Sequence, residues 1–80
     1  MSLKTEICEL IAETVLIDRE EVSDGAHLQD DLGADSLMVV ELAETLGGRY
    51  GIALDADELV DATNVKAVVE LVERRIAAKG

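Results

Sequence analysis

The stretch LGADSLMVVEL, Leu32 to Leu42, decides how the rest of the chain is read. A glycine-bearing acidic loop ends here and an apolar helical run begins. At 100° per residue, Val39, Leu42, Ala43, Leu46 and Tyr50 fall on one stripe, which marks the core-facing side of a helix over about 36–50. Leu37, Val40, Glu41 and Glu44 form a second stripe, nearly opposite, so two aliphatics stand among acids on the side expected to meet water. Ser36 lies at or just inside the helix N-terminus, where free backbone N–H groups and the positive end of the dipole gather. Asp-Ser before an apolar run is an ordinary N-cap. A phosphate ester on the serine hydroxyl would suit the same place. Both readings hold together if Asp35 is the cap and Ser36 the modified residue.

Working outward, Leu3, Ile7, Leu10, Ile11 and Val15 mark one face of a first helix over about 3–16, with Ser2 as its N-cap. Residues 17–35 hold no sustained period and read as a long loop, pinned to the core by Val22, Leu28 and Leu32. A loop of that length in a small domain points to function. Gly47 and Gly48 cost the second helix on the order of 1 kcal/mol each against Ala, and are expected to let it fray or bend near Tyr50. Residues 51–54 form a link, and DADELVD, Asp55 to Asp61, reads as one or two short helical turns. Thr63 or Asn64 then caps a last helix over about 65–78, whose inner face is Val65, Val68, Val69, Val72 and Ile76. Arg74, Arg75 and Lys79 fall near its C-terminus, where positive charge suits the dipole. The pattern predicts an all-α fold: a small four-helix bundle of three longer helices and one short one, with residues 1–80 as a single domain.

Composition narrows the function. The chain has 80 residues, no proline, tryptophan or phenylalanine, and one tyrosine. Its core must be Leu, Ile, Val and Ala, and a chain this short buries only about 60–65% of its unfolded surface. No apolar run reaches transmembrane length and no basic-then-apolar leader opens the sequence, so a soluble, cytoplasmic monomer without membrane insertion is expected. One cysteine, Cys8, excludes an internal disulfide, and with one histidine it leaves no structural zinc set. Cys8 is expected to be a half-buried filler rather than a reactive thiol. The formal charge is −11, and residues 20–61, with twelve acids and the single base Arg49, account for all of it. Repulsion excludes nucleic acid as a partner. A basic protein surface is the natural complement.

Catalysis finds no support. A serine nucleophile needs a base within reach, and the one histidine, His27, sits in the long loop with no triad pattern around it. Neither DADELVD nor QDDLGAD has the spacing of a calcium loop, and no metal is expected.

DLGADSLMVVEL resembles the phosphopantetheine attachment motif of acyl carrier proteins. The resemblance runs on through the amphipathic first helix, the long loop, the aromatic that closes the second helix, the short acidic segment and the Thr/Asn-capped last helix. It implies that Ser36, flanked by Asp35 and Leu37, carries 4′-phosphopantetheine through a phosphodiester, installed from coenzyme A by a phosphopantetheinyl transferase. It implies that Leu37, Met38, Val40, Glu41 and Glu44 dock on basic surfaces of ketosynthase, acyltransferase and other acyl-processing enzymes. Val39, Leu42, Ala43, Leu46, Tyr50, Leu59 and Val68 would line a space sheltering an acyl chain. Met38 stands where many fatty-acid carriers have a polar residue, and Asp55 where many members have proline. Gly47-Gly48 and the following Arg49-Tyr50 look more like carriers of polyketide or other specialised pathways. Gly33-Ala34-Asp35 differs from the Gly-Gly-His or Gly-Gly-Asp of peptidyl carriers, which leaves a stand-alone peptidyl or aminoacyl carrier as the neighbouring alternative. Outside carriers altogether, the alternative is an acidic interaction module using Leu37 and Val40 as a hot spot, with no covalent cofactor.

Overall fold

The Ser2 side chain accepts the Thr5 N–H at 3.2 Å and so starts the first helix. In the computed structural model, which describes residues 2–79, α1 spans Leu3–Val15, α2 Ser36–Tyr50, α3 Ala56–Asp61 and α4 Val65–Lys79. The described residues contain no strand, and the all-α bundle predicted by the hydrophobic period is what forms. α1 stops one residue short of the predicted end. Leu16 turns to φ 62° and its N–H bonds the Ala12 carbonyl.

The segment after α1 is better ordered than its sequence suggests. Asp18 and Glu21 form a capping box around a 3₁₀ turn at Arg19–Glu21. Backbone bonds then stitch the loop to the α3–α4 junction: Val65 N–H donates to Ala26 O at 3.0 Å, Leu28 N–H to Thr63 O at 3.1 Å, and Lys66 N–H to Asp24 O at 3.0 Å. His27 and Asn64 form an isolated antiparallel bridge there. Val22, Leu28 and Leu32 are buried as their spacing predicts, joined by Ala26 and Ala34.

α2 does not fray at its glycines. It continues through Gly47 and Gly48 to Tyr50 and closes on Gly51 at φ 63°. The Gly51 and Ile52 N–H groups both donate to Gly47 O. The chain doubles back so tightly that a Cβ on Gly47 would stand 3.0 Å from Ile52 O. Tertiary closure thus offsets the poor helix propensity of this end. In α3, Asp55 and Glu58 form a capping box. Asn64, not Thr63, caps α4: its Oδ1 accepts the Ala67 N–H at 2.8 Å, while Thr63 lies at φ 33°.

The arginines near the end of α4 do more than complement its dipole. Arg75 donates to Ala53 O at 2.7 Å and pairs with Glu58, tying α4 to α3 and to the link before it. The Arg75 guanidinium, helped by the Asp55 N–H, holds the Glu58 carboxyl below the usual carboxylate range. Lys79 Nζ donates to Tyr50 O at 3.0 Å. All of this surrounds one aliphatic core in which Ile7, Ile11, Leu46, Leu59, Val65, Val68 and Val72 are fully buried. Cys8 is fully buried as well, not half-buried as its helical angle implies, because α1 is covered by α4 and the 3₁₀ turn as well as by α2.

Candidate functional site

The start of α2 is held by an alternation of anchors and free residues. Leu32 and Ala34 are buried, and the Leu32 and Ala34 N–H groups donate to His27 O and Leu28 O at 3.0 and 2.9 Å. Gly33 between them adopts φ 73°, a conformation that glycine takes without the Cβ clash of other residues. The turn delivers Asp35 in extended conformation at the helix entry. Its Oδ1 accepts the Met38 N–H at 2.9 Å and its carbonyl accepts the Val39 N–H at 3.0 Å. Asp35 is therefore the N-cap, and Ser36 is the first helical residue.

This division of labour leaves the serine available. Ser36 is exposed, and among the described residues nothing hydrogen-bonds its hydroxyl. The Ser36 and Leu37 N–H groups lie in the first turn without carbonyl partners further back in the helix. An anionic ester on the hydroxyl would lie near those donors and the positive end of a 15-residue helix. The fit to a phosphodiester is good for that reason. Hydrolytic chemistry has no such support. His27 Nδ1 accepts the Asp30 N–H at 3.4 Å and its backbone N–H is taken by Asp31 Oδ2 at 2.7 Å. No polar or charged side chain among the described residues is buried.

Along α2 the predicted stripes separate. Leu37 is 67% exposed and Val40 40%, with Glu41 and Glu44 exposed beside them. Met38, expected on the docking face, is half-buried and packs against the core. The four consecutive apolars thus split, with Val39 inside, Met38 at the boundary, and Leu37 and Val40 outside. Val39, Leu42, Ala43, Leu46, Leu59 and Val68 share the buried core. Tyr50 packs against it half-buried, its hydroxyl donating to Glu6 Oε1 at 3.2 Å while Arg49 reaches the same oxygen at 3.5 Å. Burial first, then the Glu6 carboxylate, pushes the Tyr50 phenol above its ordinary range. A groove of about 420 Å³ opens elsewhere, between α3 and α4 over Ala62, Ala67 and Leu71, and none of those seven residues lines it.

Two exposed apolars lie outside the predicted stripes. Val60 on α3 is 44% exposed and Leu16 is 83% exposed. Leu16 follows the last core position of α1 and falls off its apolar stripe, which was the available signal.

Comparison with known proteins shows the family of the chain. Residues 5–72 match the family described as phosphopantetheine attachment site. The chain is 37% identical over 73 residues to an acyl carrier protein of Helicobacter pylori, covering 91% of this chain and 94% of the relative. It is 34% identical over 73 residues to polyketide-8 synthase acyl carrier protein 2 of Streptomyces avermitilis, covering 91% and 84%. Among solved structures, its fold is similar to the NMR structure of the HMG-ACPI domain of the CurA module from Lyngbya majuscula. The TM-score is 0.82 at 22% identity, over 98% of this chain and 79% of that one.

Proposed function

The chain belongs to the phosphopantetheine attachment-site family and is an acyl carrier protein, a carrier rather than a catalyst, and on that premise we propose that Ser36 is its attachment residue and that it serves fatty-acid or polyketide-type biosynthesis. The observation that carries this is the exposed, unbonded Ser36 hydroxyl at the first position of α2, freed from capping by Asp35. The 4′-phosphopantetheine bound there supplies a thiol that holds acyl groups as thioesters. The residues of this chain do the rest. Asp35 fixes the helix start and Leu37 flanks the tether. Leu37, Val40, Glu41 and Glu44 meet partner enzymes, aliphatics in small pockets and acids against Lys or Arg. Val39, Leu42, Ala43, Leu46, Leu59 and Val68, with Tyr50 at the end, part to shelter an acyl chain. An aliphatic core without large rings suits such an opening. Residues 1–80 act as one monomeric carrier domain in the cytoplasm, loaded by a phosphopantetheinyl transferase and used by ketosynthase, acyltransferase and related enzymes.

The test is an intact mass. Apo protein is incubated with coenzyme A, Mg²⁺ and a broad-range phosphopantetheinyl transferase. The expected result is a gain of one phosphopantetheine, absent in Ser36→Ala. No gain under conditions that modify a control carrier would sink this function, and a gain in Ser36→Ala would move the attachment elsewhere.

A further inference from the structure

Leu16 carries two costs at once. It exposes 83% of its surface, and it sits at φ 62°, where a glycine or asparagine usually ends a helix. The apolar contact that accompanies such a helix end falls to its neighbour, since Ile17 packs against the core while Leu16 points away from it. The surface around Leu16 is acidic: Glu9, Glu13, Asp18, Glu20 and Glu21 are all exposed. Arg19, three residues on, turns its guanidinium to Val22 O at 3.2 Å. An aliphatic tip inside an acidic rim complements a basic surface holding a pocket for one side chain.

Its position selects the partner. Glu6, near the start of α1, bonds Tyr50 and Arg49 at the end of α2. The two packed helices therefore run in opposite senses, and Leu16, just past the end of α1, lies toward the end of the bundle where α2 begins with Ser36. An enzyme that modifies Ser36 must bring its active site to the hydroxyl itself. A standard interface of about 800 Å² per partner is a disc of roughly 16 Å radius. On a molecule of 32 × 26 × 18 Å, a footprint of that size around Ser36 extends beyond α2 itself. We propose that Leu16 is a second apolar contact, apart from the α2 stripe, for the phosphopantetheinyl transferase that modifies Ser36. The inference rests on Ser36 being the attachment residue.

Two variants test it, Leu16→Gly and Leu16→Asn, since both residues accept the left-handed conformation. The readouts are the kinetics of modification of the full chain by a broad-range transferase, the thermal midpoint, and sedimentation velocity. KM is expected to rise about five- to tenfold in both variants with kcat unchanged, as for loss of a contact made equally in ground and transition states. The thermal midpoint should hold or rise. A KM within twofold of the parent in both variants overturns the proposal. So does loss of the fold in both, which would make Leu16 a support of the core. A dimer of the parent that dissociates in the variants would assign the leucine to a second copy, and also overturns it. If the parent itself is not modified, the failure lies with Ser36 as attachment residue, and this contact falls with it.

Discussion

At the scale of single residues, Asp35 and Ser36 show how far sequence goes. Asp-Ser before an apolar run is compatible with either residue as the cap. The geometry assigns the task to Asp35, whose Oδ1 holds the Met38 N–H. Asp35→Ala should cost about 1 kcal/mol, which in a domain of this size lowers the thermal midpoint by roughly 4–8 °C. Asp35→Asn keeps a carbonyl oxygen in the same place and should retain most of that stability. Thermal unfolding of both variants checks this. Equal losses would mean that the carboxylate acts by its charge on the helix dipole and not as a hydrogen-bond acceptor. The exposed stripe of Leu37, Val40, Glu41 and Glu44 was legible because a helix repeats at a known angle. For Leu16 the only signal was its place off the α1 stripe; its left-handed turn was not legible, because a leucine there goes against the preference that sequence rules encode.

At the scale of elements, all four helices were legible, since each has an apolar stripe and a polar start. The ends of the three longer helices fell within one residue of their predicted bounds, but the contacts that hold those ends and the order of the loop were not legible. The Gly47-Gly48 pair reads as a weak helix end, yet α2 runs through it, because Gly51 turns the chain and Ile52 lies over Gly47. The two glycines should therefore respond differently to a methyl group. A Cβ on Gly48 meets nothing within 4 Å, so Gly48→Ala should stabilise by about 0.5–1 kcal/mol through helix propensity and a less flexible unfolded chain. Gly47→Ala gains the same propensity but sets its Cβ 3.0 Å from Ile52 O, and the carbonyl must shift to admit it. It should be less stable than Gly48→Ala in urea unfolding. Identical gains would show that the doubling-back at Ile52 yields easily. The loop was opaque for a related reason. Its order comes from backbone bonds to residues 63–66, a pairing that spans about half the chain and leaves no local pattern.

At the scale of the whole molecule, charge is the feature that sequence and structure describe alike. The net −11 resides in residues 20–61, which include the start of α2 and its exposed stripe. That stripe holds Glu41 and Glu44 beside Leu37 and Val40, so charge and apolar surface converge on the helix that begins at Ser36, the proposed attachment residue. If attraction to a basic partner acts through this face, reversing one local charge matters more than the change in total charge. Glu41→Lys or Glu44→Lys should weaken modification by the transferase. Glu73→Lys, an equal change on the exposed side of α4, should have a smaller effect. The gap between the two should be widest near 0.01 M salt, where the screening length is about 30 Å, and should narrow toward 1 M, where it is about 3 Å. The apolar contribution of Leu37 persists at high salt, so Leu37→Ala should remain impaired there while Glu41→Lys recovers. The measurement is kcat/KM for each variant across that range. If Glu41→Lys and Glu73→Lys lose the same amount at every ionic strength, total charge alone steers the partner and the α2 face has no local electrostatic role. If Glu41→Lys matches the parent throughout, the acids of this stripe serve solubility, and docking rests on the leucine and valine alone.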